Sequence, residues 1–184
     1  MADRETATGD LGLVQAFLNT VALHEADSEE FTTSNTLQAW LVARGLMPTG
    51  QTAEASDLKH AIALREAMRG LIGVNTGGTA YPLDVATLNE AVIASRLRPR
   101  FGSDGRPRLE PETSGVVGAM GRLVAACMRA MASEHWHRLK LCDRDACRWA
   151  FYDQSRNHSS RWCRMASCGN IEKATRFRKR QKNA

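Results

Sequence analysis

Cys142, Cys147, Cys163 and Cys168 form two pairs, with four residues inside each pair and fifteen between the pairs. A chain that must gather four thiols has little freedom over that stretch. Each pair can bend back as a knuckle presenting two thiolates, and a hairpin-sized insert lets two knuckles complete the tetrahedron that zinc prefers. Disulfides are the other use of paired cysteines, and they belong to oxidising compartments. The first twenty residues, MADRETATGDLGLVQAFLNT, carry early acids and no apolar run of signal-peptide length. No stretch of eighteen apolar residues suggests a membrane span. The expectation is a cytoplasmic protein in which the thiols take metal. His135, His137 and His158 are alternatives to one cysteine as ligand, and Cys127, among the small and apolar residues of GRLVAACMRA, reads as core.

The charge is divided along the chain. Residues 140–184 hold 12 Lys/Arg against 4 Asp/Glu, a net of +8, which leaves 13 basic and 16 acidic residues before position 140, a net of −3. The cysteine segment therefore faces an anionic partner, most commonly nucleic acid. With 184 residues and 43% hydrophobic content, the chain suffices for one full-sized core and a small appendage.

Before the cysteines the periodicity is helical. Leu11, Leu13, Val14, Phe17, Leu18 and Val21 approximate one apolar helix face. Ser34 and Asn35 are candidate caps for LQAWLVARGL, with Gly45 as its stop. DLKHAIALREAMRGLIGVNTG continues as a helix to about Gly77 and Gly78, and DVATLNEAVIASRL follows with Val85, Leu88, Val92 and Ile93 apolar. RPRFGSDGRPRLEPETSG reads as a surface loop with a short hairpin around residues 103–105. VVGAMGRLVAACMRAMASE, rich in Gly and Ala, reads as a long, closely packed helix. The fold class is mainly α, with a multihelical domain over 1–135 and a small zinc module over 136–184.

Within the helical part, Asn19 and Arg65 are the candidate contacts for a small-molecule effector. Asn19 lies beside an apolar face, where a cap or an inter-helix hydrogen bond is the other use for it, and Arg65 and Arg69 stand at i, i+4, where a solvated face or pairing with nearby acids is the other reading. No GxSxG, P-loop, GxGxxG or HExxH pattern occurs, so the reading is not an enzyme.

In the cysteine segment, Leu139 and Leu141 before the first pair, and Trp149 and Phe151 after it, alternate as a hairpin carrying the knuckle. After the second pair, Ile171, Ala174 and Phe177 recur every third residue in a helix rich in Lys and Arg. A hairpin knuckle followed by a helix whose start supplies the second ligand pair is a treble-clef-like plan. Four thiolates close the zinc shell and leave no site for a substrate water, so the metal is structural.

CDRDAC at 142–147, FYDQSRNH at 151–158 and RWCRMASCGN at 161–170 resemble the CGNR-type zinc-finger family of bacterial proteins. FLNT at 17–20, WLVARGL at 40–46 and LREAMR at 64–69 resemble the helical domain called ABATE, named for stress-induced transcription regulation. The signature arginine is Ile171 here, and Ser160 stands where relatives tend to carry a second arginine. The resemblance implies a DNA-binding transcription regulator with a structural Zn2+ on Cys142, Cys147, Cys163 and Cys168. Arg161, Arg164, Lys173, Arg176, Lys179 and Arg180 would meet the phosphate backbone, and a homodimer would suit palindromic sites. The alternative is a small-molecule or protein-interaction module, in which the zinc segment only staples the C-terminus onto the helices through Trp136, Trp149 and Trp162.

Overall fold

The computed structural model describes residues 6–22 and 28–182. Five helices precede the zinc segment: α1 (Gly9–Leu18), α2 (Ser34–Ala43), α3 (Ala55–Gly73), α4 (Pro82–Ala94) and α5 (Gly115–Met131). Between α4 and α5, strands β1 (Arg98–Phe101) and β2 (Pro107–Glu110) pair antiparallel as an exposed ribbon, the hairpin expected around residues 103–105. Strands β3 (Leu139–Leu141) and β4 (Ala150–Tyr152) and the helix α6 (Asn170–Lys182) complete the described chain. This is the mainly α fold with a small hairpin-and-helix module at its end.

Local chemistry sets the helix ends. The cap of α2 is Thr33, one residue ahead of the expected Ser34, because Thr33 and Thr36 close a reciprocal capping box with side-chain bonds of 3.2 and 3.1 Å. Gly45 takes the left-handed conformation at φ +66°, and the Leu46 amide returns to the Leu41 carbonyl at 3.0 Å to finish that helix. α3 stops at Gly73, earlier than the glycine pair at 77–78; a 3-10 turn over Val74–Thr76 carries the chain on to Gly77.

The core lies among α1, α2, α3 and α5. Phe17, Leu18, Leu37, Leu41, Leu64, Met68, Ile72 and Leu123 are buried there, each worth about 1.5–3 kcal/mol for leaving water. Trp40 packs against Phe17 and Phe31 at centroid distances of 5.6 and 5.7 Å. The small residues of α5 allow close approach: a Cβ on Gly121 would lie 2.5 Å from the Ser95 Cβ. Cys127 is buried on the same helix, and burial pushes its thiol up to about 12, leaving it an inert core residue. α4, expected as a helix, lies at the edge of this core. It buries none of its residues; Leu88 and Val92 lean on the core, whereas Leu83 and Ile93 are 76% and 75% exposed.

The hairpin β3–β4 belongs to this same core. Its register pairs Leu139 with Tyr152, Lys140 with Phe151 and Leu141 with Ala150, and directly paired side chains share a face. Leu139, Leu141 and Ala150 are therefore buried with the helices, while Phe151 shares the other face with Lys140. The hairpin expected on either side of the first cysteine pair is thus present, and its register sets which face each residue takes.

Polar side chains lock the hairpin in place. Asn19 holds both backbone groups of Ala150: its Nδ2 donates to the carbonyl at 2.8 Å and its Oδ1 accepts from the amide at 2.9 Å. Gln15 Nε2 donates to the same carbonyl at 3.2 Å. Arg69, buried on α3, donates Nη1 to the Arg148 carbonyl at 2.9 Å, Nη2 to the Leu18 carbonyl and Nε to Glu66 at 3.1 Å. Asn75 Nδ2 donates to the carbonyls of Trp136 and Leu139, each at 2.9 Å. Replacing Arg69 with leucine strands two inward carbonyls, each costing about 1–3 kcal/mol. Arg69→Leu is expected to lower unfolding free energy by about 2–4 kcal/mol in urea titrations followed by circular dichroism; a loss below about 1 kcal/mol would show that Arg69 does not carry the joint.

Candidate metal centre and nucleic-acid interface

The turn after β3 carries Cys142 and Cys147, and the segment leading into α6 carries Cys163 and Cys168. All four Sγ atoms lie within 4.8 Å of one another. Cys147 Sγ is 3.7 Å from Cys163 Sγ, which is 3.8 Å from Cys168 Sγ. Four sulfurs bonded to one zinc at ~2.3 Å in a tetrahedron stand ~3.8 Å apart, and a disulfide needs ~2.05 Å. The cluster fits zinc and no disulfide is formed. His137 and His158 instead meet each other, Nε2 to Nδ1 at 3.0 Å. The four-cysteine group is the metal-binding cluster among the described residues.

The backbone prepares the sulfurs for negative charge. The amides of Arg144 and Cys163 donate to Cys142 Sγ, and the Trp149 amide donates to Cys147 Sγ. Arg148 adopts φ +46° to make this turn, an uncommon conformation held by the bond from Arg69. Hydrogen bonds from the Cys147 and Cys163 thiols hold Cys142 far below its ordinary value despite burial, and the same contacts push Cys147 and Cys163 up. Four thiolates around Zn2+ leave a net charge of −2, which these N–H donors help to stabilise. Trp149 and Trp162 pack over the cluster rather than on the helices, whereas Trp136 leans on the helical core.

The insert between the cysteine pairs is organised by a buried ion pair. Lys140 Nζ meets Asp153 Oδ2 at 2.8 Å, with both side chains shielded from water. Lys140 also donates to the His158 carbonyl. Asp153 accepts from the Ser155 and Ser160 amides, each at 3.0 Å. Burial alone would raise the Asp153 carboxyl, but the hydrogen bonds from Lys140, Ser155 and Ser160 outweigh it and hold the group well below the usual carboxylate range. Sequence reasoning missed this pair. Its one visible signal is a lysine between two leucines in a strand, and its partner lies thirteen residues away.

The six candidate DNA contacts fall into two groups. Arg161 and Arg164 share a cleft of about 470 Å³ with Ser159, Ser160, Trp162 and Met165, beside the cysteine cluster. There Arg161 pairs with Asp143 and lies 5.3 Å from the Trp162 ring. Lys173, Arg176, Lys179 and Arg180 stand exposed on α6, which buries none of its residues. One turn of π-helix over Met165–Gly169 holds Cys168 and starts α6 two residues beyond that ligand.

Asn19 and Arg65 require correction as effector contacts, since internal partners occupy both. Asn19 grips Ala150, and Arg65 is buried in a bidentate pair with Glu29 at 2.7 Å for both bonds, with further bonds to Glu66 at 2.8 Å and Thr20 at 3.1 Å. A groove of about 290 Å³ between α3, α4 and α5, lined by His60, Leu64, Thr87, Ala91, Val116 and Met120, contains neither residue.

Metal removal should reach beyond the zinc segment, because Leu139, Leu141 and Ala150 sit in the helical core. Metal analysis is expected to give one zinc per chain, and a chelator or Cys163→Ser should lower the melting temperature of the helical signal as well as unfolding the hairpin. Independent melting of the helices, unchanged by chelation, would contradict this. Asp153→Asn should cost about 3 kcal/mol at neutral pH by leaving Lys140 buried without its counter-charge. The folded-state pKa of Asp153 is depressed, so that contribution is fully present above the unfolded value near 4 and is lost as pH falls from there through the lower folded value. The difference between wild type and Asp153→Asn in denaturant titrations should hold steady from about pH 8 to 5 and shrink below about pH 4; a difference that fades between pH 8 and 5 would refute the assignment.

Comparison with known proteins agrees with this geometry. No helix among the described residues is long and apolar enough to cross a membrane. No curated protein matches the chain. Two family models do: the CGNR zinc finger over residues 138–181, and ABATE, "Putative stress-induced transcription regulator", over residues 11–136. Neither description is that of an enzyme. With its four cysteines gathered this closely, the CGNR segment carries a structural zinc. The chain belongs to the ABATE family through its helical part and continues C-terminally as a CGNR zinc finger.

Proposed function

We propose that this protein is a DNA-binding transcription regulator in which the zinc module, residues 136–184, presents a basic helix to the phosphate backbone, while residues 1–135 sense or dimerise. The observation that carries the reading is the state of α6. It holds Lys173, Arg176, Arg178, Lys179, Arg180 and Lys182 against one acid, Glu172, and all six cations are exposed. Among the described residues no carboxylate pairs with any of the six, although acids elsewhere pair with Arg65, Arg98, Arg100, Arg108, Arg129 and Arg161. A helix so charged and so little covered suits a polyanion. Arg161 contributes less, being neutralised by Asp143, and Arg164 sits half-buried at the foot of the helix.

The groove between α3, α4 and α5 supports an effector site on the helical part, and the exposed Leu83 and Ile93 of α4 support a second copy there. Both would make the helices the regulated element and the zinc module the DNA-facing one.

A salt series on duplex DNA tests the reading. Each phosphate neutralised adds about 0.9 to the slope of log affinity against log salt. Wild type should show a slope of several units, and Arg176→Ala and Arg180→Ala should each reduce it by about 0.9. Affinity that neither falls with salt nor responds to these substitutions would overturn the proposal.

A further inference from the structure

Phe177 is 61% exposed on α6. Leaving a phenylalanine in water forgoes the burial that Phe17 and Phe31 obtain in the core. Its neighbours on the helix suggest what covers it. Lys173, Arg176, Phe177 and Arg180 follow one another at i, i+3, i+4 and i+7, so they line one face. All four are exposed, and among the described residues no ion pair engages the three cations. This face is an aromatic ring framed on both sides by positive charge within one turn.

Charge selects the occupant. A second copy of α6 would bring six cations and one acid against the same set, so self-pairing through this face is opposed by repulsion. A duplex groove offers phosphates along its edges and apolar base surface at its floor. The helix has 13 residues, about 20 Å of length, and an α-helix fits the major groove, about 12 Å wide. The apolar group exposed on that floor is the thymine C5-methyl, which a phenylalanine side chain can contact.

We propose that α6 enters the major groove with this face inward, Lys173, Arg176 and Arg180 on the flanking phosphates and Phe177 against a thymine methyl, so that Phe177 supplies base selectivity where the cations supply affinity. The inference rests on the DNA-binding reading above and adds to it a base-contacting residue. It also gives the apolar stripe of α6 a role. Phe177 turns toward the same face as Lys173 and Arg180, and groups with them rather than with a protein core.

The test uses the full-length zinc-loaded chain. A duplex is first selected from a random pool, then synthesised once with thymine and once with deoxyuridine, which lacks only the methyl group. Wild type should bind the thymine duplex roughly fourfold tighter, the factor corresponding to burial of one methyl group. Phe177→Ala, an exposed position whose substitution leaves the fold intact, should bind both duplexes equally with an unchanged salt slope. Arg176→Ala should lower the salt slope and keep the thymine preference. Salt-dependent binding by wild type with no thymine preference, or a preference that survives Phe177→Ala, overturns the role of Phe177 and leaves the phosphate-binding reading standing. Salt-independent or absent binding to both duplexes overturns both readings. Loss of self-association in Phe177→Ala, with DNA binding unchanged, assigns this face to a second copy and overturns the proposal as well.

Discussion

Arg69 joins three parts of the molecule that are far apart in sequence. One guanidinium reaches the end of α1 through the Leu18 carbonyl, the acid of its own helix through Glu66, and the first cysteine knuckle through the Arg148 carbonyl. Because Arg148 holds the left-handed conformation that sends the chain from Cys147 into β4, its carbonyl is oriented by the core rather than by the knuckle alone. Asn19 and Gln15 fix Ala150, two residues further along. The zinc site is therefore built onto the helical domain, and its direction is inherited from α1 and α3. Neutral backbone acceptors are well matched to this use of arginine: the planar fork supplies several donors at fixed angles, where lysine would supply a point charge.

The two ordering devices of the C-terminal segment then divide the work. Zinc sets the distance between the knuckles, which thiolates could not hold against their mutual repulsion. The Lys140–Asp153 pair shapes the fifteen residues between them, using Asp153 to gather the amides of Ser155 and Ser160. Neither device contacts the exposed face of α6. Beyond them the chain makes the turn over Met165–Gly169, from which α6 leaves with its cations uncovered. A Cβ on Gly169 would come within 2.4 Å of the Met165 sulfur, so a larger residue there would displace that side chain.

Much of this was legible in the sequence because it rests on local signals. Cysteine spacing gave the metal cluster, alternation about the first pair gave the hairpin, and helical periodicity gave α1 to α5. The residues that were misjudged answer to distant partners. Asn19 meets Ala150 across 131 positions, and Arg65 meets Glu29 across 36. A polar residue beside an apolar face has the same local signature whether it awaits a ligand or a backbone strand. The face that Phe151 takes was not legible, because strand register, which no single strand encodes, decides it. The apolar residues of α4 satisfy a helical period as read, yet those packed on the core are Leu88, Ala91 and Val92, which the period alone does not single out.

The loss of the signature arginine can be weighed on the same physical terms. Ile171 lies in the first turn of α6, 44% exposed, where the helix dipole presents its positive end and the acid Glu172 follows. A cation there works against the dipole, while Lys179, Arg180 and Lys182 in the last turn work with it, each by about 0.3–1 kcal/mol. Isoleucine at this position therefore costs the helix nothing electrostatically and leaves the cations where the dipole favours them. The charge of α6 is concentrated from Lys173 onward, toward the C-terminal turn of the helix. On the DNA-binding proposal, the cations open to a phosphate therefore lie along α6, on the face that carries Arg176, Phe177 and Arg180.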